Sequence, residues 1–335
     1  KILRAITDDY ISSGEPVGSR TIARKYKLGL SPATIRNEMA DLEEGGYLEQ
    51  PHTSSGRIPS DRGYRYYVDA LMEERPLTRF EIEKIRHDFQ SIKQELETFL
   101  KQTSKVLTQI TKYPSFSVAP EFSESRFRRV HLIPISEGNI LLILVTDSGY
   151  VEQRILSVSD LIDPGILEKL SNCLTQHLQG KCIRELSYNW LKQIKTDLIL
   201  HEHFFEQIIK SLMEIFRSQN QDKLFLEGAS HILDQPEFSS VDKAKAIMQL
   251  LEEEEKLYQI VTGEKMQEKV KICIGRENTY SESLSDCSIV TAVYDVNDRA
   301  YGRIGILGPK RMDYAKVVAI VEYISKYLST LLKYI

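Results

Sequence analysis

The stretch that decides the fold reads Ser31-Pro32-Ala33-Thr34-Ile35-Arg36-Asn37-Glu38-Met39-Ala40-Asp41-Leu42-Glu43-Glu44-Gly45-Gly46 and continues as Tyr47-Leu48-Glu49-Gln50-Pro51-His52-Thr53-Ser54-Ser55-Gly56-Arg57-Ile58-Pro59. Ser31 sits where an N-cap belongs, Pro32 takes the first helical position, where a missing N–H costs nothing, and the glycine pair ends the helix. With Ile35, Met39 and Leu42 turned inward, the 100° step per residue sends Ala33, Asn37 and Ala40 outward, flanked by Thr34 and Arg36. The second half predicts a short strand, a polar tip and a return strand, a wing-like hairpin.

Working outward, Ile2, Leu3, Ile6, Tyr10 and Ile11 recur at helical spacing until the stop cluster Ser12-Ser13-Gly14-Glu15-Pro16. Ser19 is expected to cap a second helix, Arg20 to Tyr26. Ser60-Asp61 should cap a fourth helix carrying Tyr64, Tyr67, Val68 and Leu71, and Pro76 marks a boundary. Residues 1–75 thus predict a winged helix-turn-helix. Lys1 already lies inside a helical pattern, so a few residues are expected before it.

A helix that enters the major groove must be slim, and Ala33 and Ala40 keep this one slim. Asn37 suits adenine, Arg36 guanine or a phosphate, and the methyl of Thr34 or Ala33 the thymine methyl. The helix start at Ser31 and Pro32 suits a phosphate. Arg20 and Thr21 on the preceding helix complete the expected contact set, with the wing residues His52, Thr53, Ser54, Ser55, flexible Gly56 and cationic Arg57 placed for phosphate or minor-groove contact. The bland alternatives are a solvated outer face and an ordinary polar loop.

Charge decides between them. The 335-residue chain carries a net −4, so no global basic field draws it to nucleic acid. Within residues 1–75, eleven bases against twelve acids leave −1. Yet Pro16 to Asn37 holds Arg20, Arg24, Lys25, Lys27 and Arg36 with no acid, while Glu38 to Glu49 holds five acids and no base. Positive charge therefore gathers where a groove would be entered. An acidic winged helix that binds protein stays open as the other reading.

Beyond Pro76, apolar residues at 82, 85, 89, 92, 96, 99, 106 and 110 predict one long helix ending near Pro114, either a coiled coil or a helix packed on the following domain. Arg128 to Ile135, Ile140 to Thr146 and Tyr150 to Val158 read as strands, the last two joined by Asp147-Ser148-Gly149. Leu191 to Arg217 and Val241 to Ile260 read as helices around the apolar piece Leu224-Phe225-Leu226. Strands return at Val270 to Ile274, Ser288 to Val293 and Gly302 to Leu307, before a last helix from Asp313 with an apolar face of Val317, Ile320, Val321, Ile324, Leu328 and Leu331. The simplest account is an α+β domain, 76–187 and 263–335, interrupted by a mostly helical insertion at 188–262.

Cys173, Cys182, Cys273 and Cys287 are too widely spaced for a metal or redox pair, and a reducing cytoplasm fits them. No apolar run is long enough to span a bilayer, and there is no signal peptide. His201-Glu202-His203 is no metal site, because positions i and i+2 on a helix point apart. No GxSxG, P-loop or HExxH is present, so no enzyme, cofactor or metal is expected.

The motifs Gly14-Glu15-Pro16-Val17-Gly18-Ser19, Ser31-Pro32-Ala33-Thr34-Ile35-Arg36-Asn37-Glu38-Met39, His52 to Pro59, Gly63-Tyr64-Arg65-Tyr66-Tyr67-Val68-Asp69, Leu224-Phe225-Leu226-Glu227-Gly228 and Gly305-Ile306-Leu307-Gly308-Pro309-Lys310-Arg311-Met312-Asp313-Tyr314 resemble those of the bacterial HrcA family of heat-inducible transcription repressors. The resemblance spans nearly the whole chain. It implies a winged helix, a GAF-like domain and an inserted dimerisation domain. It also implies homodimeric binding to double-stranded DNA at an inverted-repeat operator, the CIRCE element, with chaperonin GroEL supporting the active form in a bacterial cytoplasm, at the nucleoid. A small-molecule ligand of the GAF-like domain is the rival reading, resting on fold analogy alone.

Overall fold

The computed structural model describes residues 1–52, 55–89, 96–121, 125–147, 151–158, 162–182, 202–218, 224–263, 269–296 and 300–333. The described chain divides into two compact units, 1–118 with 224–293 and 303–327, and 119–223 with 294–302 and 328–335.

The first unit begins with three helices, α1 (Ile2–Ser13), α2 (Ser19–Lys25) and α3 (Pro32–Glu44), and a two-stranded antiparallel hairpin of β1 (Leu48–Glu49) and β2 (Ile58–Pro59). Leu3, Ile6, Val17, Ile22, Ile35, Met39 and Leu48 form their shared core. Ser31 caps α3 as expected, its Oγ accepting the Thr34 N–H at 3.1 Å. Ser19 does not cap α2. Gly18 holds the extended N-cap position, and Ser19 is a buried first helical residue.

The hairpin is tied back to the chain before α2 by a reciprocal pair of backbone bonds between Val17 and Arg57, both 2.9 Å. Gly56 is there for closeness rather than flexibility, since a Cβ on it would lie 2.5 Å from the Val17 carbonyl carbon. Ser60 then caps α4 (Asp61–Tyr66), accepting from Gly63 N–H at 3.0 Å, and the helix widens into one π turn, Tyr67–Leu71.

The single long helix expected from Ile82 is two, α5 (Arg79–Phe89) and α6 (Leu96–Thr111). Gln102 Nε2 donates to the Asp88 carbonyl at 3.1 Å, a pair that a continuous helix would hold about 21 Å apart. The chain therefore folds back between them. Thr103, the polar residue between 99 and 106 of that stripe, is buried, with its hydroxyl donating to the Phe99 carbonyl at 2.7 Å.

A five-stranded sheet follows, ordered β7 (Leu224–Glu227), β3 (Ser115–Glu121), β10 (Ala300–Pro309), β9 (Cys287–Val296), β8 (Val270–Ile274). The sequence reading places no strand at β3. Its Phe116 and Val118 join a core with Ile247, Leu250, Leu251 and Leu257 of α9 (Val241–Glu252) and α10 (Glu254–Thr262). Its Ser117 is equally buried, with Oγ donating to the Leu100 carbonyl on α6 at 2.8 Å. The expected helix Val241 to Ile260 is broken at Glu253, within the acidic run Glu252-Glu253-Glu254-Glu255. Along α11 (Tyr314–Leu332) the expected apolar face is buried, with Leu332 more deeply so than Leu331.

β7 pairs antiparallel with β3, Phe116 opposite Leu226. The first unit takes in 224–293 and the second 119–223, so the expected insertion, 188–262, straddles the two. Much of the expected helix from Leu191 lies outside the described residues.

In the second unit β4 (Phe127–Ser136), β5 (Asn139–Thr146) and β6 (Val151–Ser157) form a three-stranded antiparallel sheet in that order, with strand bounds close to expectation. The turn residues Ser148 and Gly149 lie outside the described residues. α7 (Pro164–Leu178) and α8 (Glu202–Ser218) cover one sheet face with Leu167, Leu170, Leu174, Ile208 and Leu212. Nothing was expected at α7, although Asp163 caps it and leucines recur along it at helical spacing.

Two substitutions test these packings. Gly56→Ala should cost about 1–3 kcal/mol through overpacking against Val17, read as a lowered midpoint in denaturant unfolding. Ser104 Oγ donates to the half-buried Phe225 carbonyl of β7 at 2.8 Å, and Ser104→Ala should cost about 0.5–1.5 kcal/mol through loss of that hydrogen bond. A neutral result in either measurement contradicts the packing described.

Candidate nucleic-acid interface

α3 presents the expected outer face. Ser31, Pro32, Ala33, Thr34, Arg36, Asn37 and Ala40 are all exposed, while Ile35 and Met39 are buried and Leu42 is half-buried. The Thr34 hydroxyl lies 2.9 Å from Ser31 Oγ, which engages the hydroxyl and leaves the methyl for outside contact. Arg20 and Thr21 are exposed on α2, which packs against α3 in the same core.

The cations divide into two groups. Lys25 is tied back to the buried Asp9 carboxylate, and its ammonium also lies 5.8 Å from the Tyr26 ring centroid. Arg57, expected to reach a phosphate, instead pairs with Glu43 near the end of α3, Nε donating to Oε2 at 2.8 Å. Arg20, Arg24, Lys27 and Arg36 have no hydrogen-bonded or ion-paired partner among the described residues. Arg24 and Lys27 were named in the sequence only as charge, not as site residues. Their signal was the acid-free segment before Asn37.

Acids at the far end of α3 are partly consumed as well, because Glu43 neutralises Arg57. Beside the free cations, the Tyr26 phenol is pushed up to about 12 by burial, and then by Asp9 and Asp8, so it stays a neutral hydrogen-bonding group at ordinary pH.

The wing is narrower in its means than the sequence suggested. Ser55 Oγ accepts the His52 N–H at 3.0 Å and donates to the His52 carbonyl at 2.7 Å, so this hydroxyl closes the tip rather than facing outward. His52 itself is exposed. Thr53 and Ser54 lie outside the described residues. The wing therefore offers His52 among its described side chains, while Ser55, Gly56 and Arg57 hold its shape.

Among the described residues no cluster of His, Cys, Asp and Glu could hold a metal, and no helix is long and apolar enough to cross a membrane. His201 lies outside the described residues. All four cysteines are free thiols. Against β8 and β9, a cavity bordered by Val261, Cys273, Tyr280 and Thr291 measures about 30 Å³, the room of about one water.

Residues 97–318 match the family described as HrcA protein C terminal domain. The heat-inducible transcription repressor HrcA of Symbiobacterium thermophilum is 44% identical over 98% of this chain and 96% of its own length. That of Pelotomaculum thermopropionicum is 42% identical over 99% of this chain and 95% of its own. A crystal structure of a hypothetical protein shares the fold, with a TM-score of 0.62 at 22% identity over 99% of this chain and 97% of that one. Identity at this level, sustained across both compact units, settles kinship: the chain belongs to the HrcA family of heat-inducible transcription repressors.

Proposed function

We propose that residues 1–75 act as a winged helix-turn-helix that reads an inverted-repeat operator, the CIRCE element of chaperone operons, with two chains bound to its two halves. The observation that carries this reading is the outer face of α3, where Arg36 and Asn37 stand exposed and unpaired beside Arg20, Arg24 and Lys27, while Lys25 and Arg57 are neutralised internally. Asn37 and Arg36 are the base readers. Arg20, Thr21, Lys27 and the α3 N-terminus at Ser31 and Pro32 hold phosphates, and Ala33 with the Thr34 methyl packs on thymine. The tip residues Thr53 and Ser54 join His52 in reaching toward the backbone or minor groove.

An inverted repeat demands a two-fold partner. The face of the β4–β6 sheet turned away from α7 and α8 carries Ile133, Val151 and Ile155, which are 44%, 55% and 65% exposed, and between them the half-buried Leu141, Ile143 and Val145. A second copy of the chain is its occupant: Ile133, Leu141 and Ile155 on one side and Val145 and Val151 on the other flank the row His131, Ile143 and Gln153, an apolar-edged patch that can pair with its own copy across a two-fold axis. The pairing surface thus lies in 127–157 of the GAF-like, inserted-domain arrangement, ahead of the 188–262 expected from sequence. Loss of the native fold on heating would then lift repression, and chaperonin GroEL, by refolding the chain, would report on folding stress.

In a gel-shift titration against a palindromic chaperone-operon promoter with scrambled competitor, Asn37→Ala and Arg36→Ala should each lose about 1–3 kcal/mol. Arg20→Ala and Lys27→Ala should each lower the salt slope by about one, while Arg57→Ala leaves it unchanged. Full affinity in both α3 variants refutes the reading surface. Ile155→Asp should turn the dimer into a monomer in analytical ultracentrifugation, and a dimer that persists rejects the sheet face as the pairing surface.

A further inference from the structure

Two motifs far apart in the sequence, Gly63 to Asp69 and Gly305 to Tyr314, have no part in the reading surface, yet they meet in the first unit. Asp61, in the first turn of α4, accepts the Arg276 backbone N–H at 3.0 Å through Oδ2 and the Lys310 ammonium at 2.8 Å through Oδ1. Its carboxylate fills a notch that only glycine leaves open: Gly275 stands at φ +53°, and a Cβ there would come within 2.5 Å of Asp61 Oδ2.

One turn along α4, Arg65 grips Glu277 through both its Nε, at 2.9 Å, and its Nη2, and the same Nη2 donates to the Ile272 carbonyl at 2.6 Å. Glu277 is itself oriented by the Ile274 N–H, at 2.8 Å. Between these two grips the Tyr64 ring is 1% exposed and lies 6.0 Å from the ring of the fully buried Tyr314, whose hydroxyl donates to the Lys310 carbonyl at 2.7 Å. The four charged side chains are 27–37% exposed, so water screens each attraction. The forked Arg–carboxylate geometry and the notch nonetheless specify an orientation that two point charges would not.

We propose that this junction sets the spacing between operator half-sites that the dimer accepts, with Asp61 and Arg65 on the reading head and Gly275, Glu277 and Lys310 on the sheet as positioning residues. The inference rests on the DNA-binding reading above. A reading head that swivelled on the linker after Leu71 would accept half-sites on different sides of the duplex. A head held by a notch, a forked pair and a buried ring loses that freedom at this joint. A dimer that discriminates spacing needs such a rigid link between each head and the body that carries it.

The test alters the sheet side alone, leaving every residue of the head in place. Half-sites are selected with the wild-type full chain from a random duplex pool, then placed as inverted repeats whose separation is stepped one base pair at a time through a helical turn. Wild type should lose at least about tenfold in affinity when the separation changes by about half a turn, because the second half-site then faces the other side of the duplex. The double variant Glu277→Gln, Lys310→Met should lose less than about threefold over the same step, while its affinity for a single half-site stays within about twofold. Lys310→Met alone repeats the series if the double variant does not fold. Spacing preference unchanged in the variants overturns the proposal.

A measurement without DNA judges the junction separately. Hydrogen exchange at the Arg276 amide should rise about tenfold in the variant while amides within α3 keep their protection. Unchanged exchange at Arg276 overturns the junction even if the DNA reading stands. Failure of wild type to bind any selected repeat, with the exchange result as expected, overturns the DNA reading and the spacing role with it.

Discussion

Both faces of the five-stranded sheet are covered, and the rest of the first unit follows from that constraint. One face packs Phe116, Val118, Ile289 and Leu307 against α9 and α10. The other lies under α6, where Ser104 donates to the Phe225 carbonyl and Ser117 to the Leu100 carbonyl, each at 2.8 Å, with the two hydroxyl oxygens 3.0 Å apart. A strand buried on both sides cannot afford an unpaired hydroxyl, so each serine is placed where a backbone acceptor is within reach. β8 and the turn after it then stand at the sheet edge, where α4 can dock.

Charge in the reading head is organised by subtraction. Eleven bases and twelve acids predict no attraction to a polyanion, and the local segregation along the sequence only partly answers that. Internal pairing answers more. Asp9 takes Lys25, Glu43 takes Arg57, Asp8 pairs with Arg4 at 3.6 Å, and Asp61 takes Lys310. Several acids that would repel a phosphate are thereby compensated, while the cations beside the start of α3 are left over. Net charge counts all of these equally; a surface presents only the remainder.

This is also why some features were legible in the sequence and others were not. The α3 cap, its buried face and the hairpin after it depend on neighbours in the chain, and local rules found them. The strand of Ser115 to Glu121 was missed because its alternate serines look like a solvated face, and only the helix above reveals them as buried. That α5 and α6 lie against each other was not legible, because the apolar spacing of the sequence runs on from 89 to 96 and spacing alone carries no record of direction. The Arg57–Glu43 pair was not legible because Glu43 reaches Arg57 only after the hairpin closes. In each case the deciding contact is non-local.

The same distinction bears on how heat would act. The pairs joining α4 to the sheet are partly exposed ions, and the cost of desolvating ions falls as temperature rises, so heating does not preferentially loosen them. The cores are different. Their stability is the small remainder of large opposing terms, and conformational entropy weighs more heavily against them with each degree. A temperature response proposed for this chain therefore belongs to cooperative loss of a core rather than to an early release of the reading head. That is the kind of loss a chaperonin can reverse, since what it exposes is Leu and Ile surface from the sheets and their covering helices rather than an opened ion pair.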